Sequence, residues 1–197
     1  MQKIEPFTYD CFYHIYNRGI NGCNVFSETE NYSYFLKLFD QHASVIADTY
    51  AWALMPNHFH FLIRVKSNLT GFQNLSGLIQ KPPHQYLSNL FNAYTKAYNK
   101  RYDRHGALFE RPFKRKSVKS FKYLQELVLY IHNNPVHHGF CDDPEKYEWS
   151  SYQTCISAKP TRLKRQEVIE WFQDRENFIY MHKQKSDNEE IEEWINT

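Results

Sequence analysis

The sequence predicts an α+β fold: an antiparallel sheet with helices packed mainly on one face, followed by a C-terminal helical tail. Three observations point there. Runs with strand-like and helix-like apolar periodicity alternate in the order strand, helix, hairpin, helix, strand, helix. The two apolar runs that flank Pro56-Asn57 suggest a hairpin, whose arms are antiparallel. Beyond Ile156 the chain becomes polar and keeps only helical periodicity, which separates a core unit, residues 1–156, from an accessory tail, residues 157–197, with an acidic end.

The elements follow from local chemistry. "TYDCFYHIY", residues 8–16, is rich in aromatic and β-branched side chains and reads as a strand closed by the turn-prone "NRGING". Ser27 and Glu30 have capping-box spacing, and Tyr34, Phe35, Leu38 and Phe39 then recur at helical intervals. In "WALMPNHFHFLIRV", strand alternation sends Phe59, Phe61, Ile63 and Val65 to a core face and His58, His60, Leu62 and Arg64 to the other. A short helix is expected near Phe72 to Ile79. A longer one follows in "PPHQYLSNLFNAYTKAYNKRY", with Leu87, Leu90, Phe91, Tyr94 and Tyr98 on one stripe. "ALFERPFKRKSV" reads as extended, its Pro112 marking an edge or a bulge. A further helix starts near Ser120 with Leu124, Leu127, Val128 and Ile131 as its apolar face, and Pro135 is expected to end it. The tail is helical from Leu163 to about residue 183.

Composition narrows the function classes. With 15 Tyr and 15 Phe in 197 residues, the chain can build a core. The same rings can also stack on unpaired bases. The net charge is only +2, yet between Lys100 and Lys122 nine Lys/Arg face two acids. A charge run by itself reads as a solvated surface, but a basic segment that dense inside a folded region favours a polyanionic partner more than a terminal tail would. The four cysteines lack a Cys-x-x-Cys spacing, which points away from a zinc ribbon or a disulfide scaffold and toward reduced thiols in the cytoplasm. No apolar run has the length of a membrane span, and the N-terminus lacks a signal-peptide centre.

The chemistry lies in two places. Histidines at i and i+2 of a strand project from one face and can share a metal ion, provided another element completes the ligand set. On the later helix, Tyr130 and Asn134 lie about 40° apart on one flank of the apolar stripe, so a phenol and an amide share a face. Each residue alone has a plainer reading: an ordinary polar pair, a half-buried packing tyrosine, a helix-ending asparagine before proline. His14, Tyr13 and Tyr16 read as packing residues of the first strand, and His137 and His138 as solvated loop residues.

"MPNHFHFLIRV", "FNAYTKAYNKRYDRHGALFERPFKRKSV", "YLQELVLYIHNNPVHHGF" and "YEWSSYQTCI" occur in the order and approximate spacing of the single-tyrosine HUH transposases. The chain resembles most the REP-associated tyrosine transposase branch, over roughly Tyr9 to Ile156. The resemblance implies a ferredoxin-like, palm-like core and a magnesium or manganese ion on His58 and His60. It makes Tyr130 the nucleophile, giving a 5′-phosphotyrosine and a free 3′-hydroxyl. Asn134 stands at the position of the third ligand, where some relatives have glutamine, and neighbouring His132 competes for that role. Arg111, Lys114, Arg115 and Lys116 are the expected phosphate contacts, and Arg18 and Arg64 are further candidates for which a surface salt bridge is an equally good account. The implied protein is a cytoplasmic single-strand DNA transposase or endonuclease, a monomer or homodimer, acting on single-stranded or hairpin DNA. A non-catalytic nucleic-acid-binding module on the same fold is the alternative, and a hydrolase using water in place of tyrosine is a second.

Overall fold

The computed structural model describes residues 5–67, 81–184, 191 and 193. Four strands and three long helices form the core: β1 (Phe12–Arg18), α1 (Thr29–Ala43), β2 (Ala47–Met55), β3 (His58–Val65), α2 (Pro83–Arg101), β4 (Lys114–Val118) and α3 (Phe121–His137). Shorter helices follow, namely α4 (Tyr152–Ile156), α5 (Arg165–Trp171) and α6 (Arg175–Lys183). All strand pairs are antiparallel and the sheet order is β2-β3-β1-β4. With helices after β1 and β3, this is the split βαβ arrangement of a ferredoxin-like core.

The face of Phe59, Phe61, Ile63 and Val65 is apolar along its whole length, and β1 adds Tyr13 and Ile15 to it. Against it pack Phe35, Leu38 and Phe39 of α1 and the whole expected stripe of α2, Leu87, Leu90, Phe91, Tyr94 and Tyr98. The Phe39 and Phe61 rings stack at 3.9 Å. Burying each such side chain contributes about 1.5–3 kcal/mol, so this layer is the main anchor of the sheet.

The opposite face is covered as well. Leu62, Tyr50 and Ala53 meet Leu124, Leu127, Val128 and Ile131 of α3, and Val168, Phe172 and Phe178 of the tail helices join the same cluster. The apolar cover stops short of the β2-β3 turn, where His58, His60 and Tyr16 occupy the sheet instead.

Three local expectations change. β1 starts at Phe12 because Asp10 adopts φ +58 and turns the chain just before it. The box that opens α1 is made by Glu28 and Asn31, each side chain bonding the other's backbone. Ser27 bonds the Tyr98 hydroxyl at 2.7 Å instead. Pro135 does not end α3, which runs to His137. Losing one N–H near the end of a helix costs a single bond. The real stop is Gly139 at φ +71, where Phe140 N–H donates to the Pro135 carbonyl and Gly139 N–H to that of Val136, a Schellman closure. The short helix expected near residues 72–79 lies outside the described residues.

Candidate functional site

β3 delivers the two histidines and α3 delivers the tyrosine and the amide. Residues paired across neighbouring strands share a face. The register therefore sets Tyr16 beside His60 and Arg18 beside His58, with His14 on the same side two residues back along β1. Tyr130 and Asn134 descend onto this patch from α3. The Asn134 Oδ1 lies 3.0 Å from His58 Nε2, and the Tyr130 ring centroid is 5.4 Å from that of His60. Between them opens a cleft of about 370 Å³ lined by His58, His60, Tyr130, Tyr16, Lys114 and Arg18, among others.

Hydrogen bonds orient both imidazoles. His58 Nδ1 is 2.7 Å from Asn57 Oδ1 and its Nε2 is 3.0 Å from Asn134 Oδ1, so an amide group holds the ring at each nitrogen. His60 Nδ1 meets His14 Nε2 at 2.9 Å, which leaves its own Nε2 for the cleft. Burial pushes His58 down to about 4, against the raising effect of the Asn134 bond. Burial also holds His60 well below the ordinary histidine range, helped by His14, His58 and His138. Both rings are neutral at pH 7, the form that binds metals. His14, wholly buried, is pushed to about 3 by desolvation and then by Lys116.

The remaining expected residues divide. Lys114 lines the cleft and lies 5.8 Å from the Tyr16 ring centroid. Arg18 lines it too, its guanidinium paired with Glu110 at 2.5 Å. Lys116 pairs with His14 across the sheet and shares the histidine face, whereas Arg115 pairs with Ile15 and belongs to the other face. Arg111 and Arg115 line a neighbouring cavity. Arg64 lies six residues along β3 from His58, about 20 Å away at the strand rise, where it pairs with Asp10 at 3.4 Å.

His132 is not near the pair. It faces the tail, with Nδ1 2.9 Å from His182 Nε2 and Nε2 2.8 Å from Ser151 Oγ. Two further residues that the sequence reading assigned elsewhere come to the site. His138 is exposed, as expected of a solvated residue, but its ring centroid is 4.8 Å from that of His58. Tyr16 stacks on His14 at 4.6 Å and forms one wall of the cleft. Its signal was strand alternation, since Tyr16 shares parity with His14.

Among the described residues no three His, Cys, Asp or Glu side chains cluster as a metal site; the side-chain oxygen that meets His58 from α3 is the Asn134 amide. Nor is any described helix long and apolar enough to cross a membrane.

No protein-family model and no curated protein matches the sequence. Among solved structures, the chain is similar to a REP-associated tyrosine transposase bound to a REP hairpin, with a TM-score of 0.60 and 15% identity over 81% of this chain and 89% of that one. A bacterial tRNA(His) guanylyltransferase-like protein in complex with ATP matches more loosely, with a TM-score of 0.42 and 9% identity over 88% and 75%. The first likeness establishes the fold: an α+β core with a four-stranded antiparallel sheet, as in the HUH transposases.

Proposed function

We propose that the protein is a metal-dependent DNA strand transferase that cleaves and rejoins single-stranded or hairpin DNA through a covalent bond to Tyr130. The observation that carries this reading is the meeting of two elements distant in sequence: Tyr130 of α3 lines one cleft with His58 and His60 of β3, and Asn134 of the same helix contacts His58. The fold shared with a tyrosine transposase supports it.

The donor set fits a divalent cation. His58 Nε2 and the Asn134 oxygen lie 3.0 Å apart, and with the His58 proton on Nδ1, toward Asn57, both would turn lone pairs to one cation. Burial lowers His58 to about 4, so the ring is neutral at pH 7 and one of its two nitrogens carries no proton. Ligands at about 2.0–2.2 Å and at right angles stand about 3 Å apart, which is the separation found. A cation held by His58, His60 and Asn134 would orient a phosphate and draw charge from its non-bridging oxygens. Lys114 adds positive charge at the mouth, where Arg18 is paired with Glu110.

In the proposed reaction, the Tyr130 oxygen bonds to phosphorus and the bond from phosphorus to the 3′ oxygen breaks. The phenolic proton ends on that oxygen, leaving a 5′-phosphotyrosine and a 3′-hydroxyl. One phosphate ester replaces another, so rejoining to a new 3′-hydroxyl requires no nucleotide.

Incubation of the protein with manganese and a hairpin oligonucleotide should yield an adduct that survives denaturing electrophoresis, absent in Tyr130→Phe and in chelator. Binding that persists in chelator without scission under any metal condition would establish a non-catalytic binding module instead. Cleavage undiminished by Tyr130→Phe but lost in His58→Ala would establish water as the nucleophile.

A further inference from the structure

Beside the cleft lies a second cavity of about 630 Å³, between α2 and the segment from Leu108 to Arg115. That size falls within the range of about 300–1,000 Å³ typical of small-molecule sites. Its floor is aromatic: Phe91 and Phe113 approach at ring centroids 5.2 Å apart. One wall is a helical stripe of α2 carrying His84, Ser88 and Asn92 at four-residue spacing. This wall is polar and carries no carboxylate, and it offers both donors and acceptors.

The two cavities adjoin. Asn17 and Glu110 line both. The partition is held by three hydrogen bonds: Asn17 Nδ2 to the Glu110 carbonyl at 3.1 Å, Glu110 N–H to the Arg18 carbonyl at 2.9 Å, and Arg18 Nε to the Glu110 carboxylate at 2.5 Å. The Glu110 carboxylate, the acid on this wall, is thereby engaged by a cation. Basic side chains follow the same path. Lys114 serves the cleft, and Arg111 and Arg115 serve the cavity. A polyanion whose phosphate sits in the cleft therefore meets cations on both sides of the partition.

We propose that this second cavity holds one unstacked base of the strand cut in the cleft, flanking the phosphate that Tyr130 attacks. This inference rests on the strand-transfer reading and adds a base-recognition site to it. A flat heteroaromatic ring with hydrogen-bonding edges matches the aromatic floor and the polar wall, as in sequence-reading single-strand sites. Ser88 and Asn92 read the edge of the base, and Arg111 holds the adjoining phosphate.

The test uses the full chain and hairpin oligonucleotides with a short single-stranded flank, intact or with one abasic position at a time. Binding is measured by fluorescence anisotropy. Base–aromatic stacking is worth about 1–3 kcal/mol, so one abasic position should weaken binding by about tenfold. Asn92→Trp, at an exposed helix position, fills the cavity. It should weaken binding of the intact strand by a similar factor and make the sensitive abasic position silent. Asn92→Trp binding as tightly as the wild type, or every abasic position costing the same in both proteins, would overturn the assignment. The adduct assay separates the two readings. An adduct without abasic coupling overturns the cavity alone, whereas coupling without an adduct upholds the cavity and removes the chemistry.

Discussion

His14 is a fully buried histidine on a central strand, and burying an imidazole costs free energy unless its nitrogens are used. Its Nε2 takes up His60 Nδ1, and Asn57 does the same for His58 Nδ1. Both imidazoles are thus oriented from behind, the arrangement that tunes histidine ligands in metal sites. Asn57→Ala should lower manganese affinity by about 10–100-fold, read by calorimetry; unchanged affinity would remove Asn57 from this role. The His58/His60 pair was legible because a two-residue spacing in an apolar strand has one geometric meaning. His14 was not, because its partner lies 46 residues away and only the register of β1 on β3 brings them together.

At the scale of the element, α3 does two jobs with opposite faces. One face carries Tyr130 to the cleft and Asn134 onto His58, and the other sends His132 into the tail. Its closure depends on Gly139 at φ +71, with open space where a side chain would go. Gly139→Ala should therefore cost about 1 kcal/mol through backbone strain alone, measured as a lower denaturation midpoint with unchanged slope. The tail side holds a polar chain in which His182 Nδ1–H donates to the Phe178 carbonyl at 2.7 Å, and His132 Nδ1–H donates to His182 Nε2. Burial lowers His182 from 6.5 to about 4 and holds His132 well below its ordinary value. The unfolded chain binds these protons first, so stability is full above about pH 6.5 and falls as the pH drops toward 4. Thermal melts at pH 7 and pH 5 should show this loss, and His182→Phe should make it shallower. An unchanged slope in that variant would dissociate His182 from the effect. The helix and its apolar stripe were readable from periodicity. Its true end was not, because a proline near a helix terminus removes only one hydrogen bond, and the closing bonds involve residues that follow it.

Across the whole molecule, one face of the sheet is sealed by α1 and α2 while the other is shared between a core and a cleft. The basic segment that begins in α2 and ends in α3 straddles β4, which sends Lys114 and Lys116 to the histidine face and Arg115 to the other. If this segment tracks a single strand, affinity should fall linearly with the logarithm of salt concentration, and Lys114→Ala should reduce the slope by about 0.7. Anisotropy titrations across a potassium chloride series would measure it, and an unchanged slope would take Lys114 out of the interface. His132 shows that imidazole chemistry qualifies a side chain for a site, but placement does not follow from type. What the sequence by itself determined were the elements, the core stripes of α2 and α3, the hairpin and the paired histidines, because period and turn chemistry are local properties of the chain. Only the tertiary structure decided that His14, Asn57, Tyr16 and His138 join that pair, that His132 leaves it, and that a second cavity adjoins the cleft. Those outcomes depend on strand register and on how α3 crosses the sheet, and both are set by packing between segments far apart in the chain.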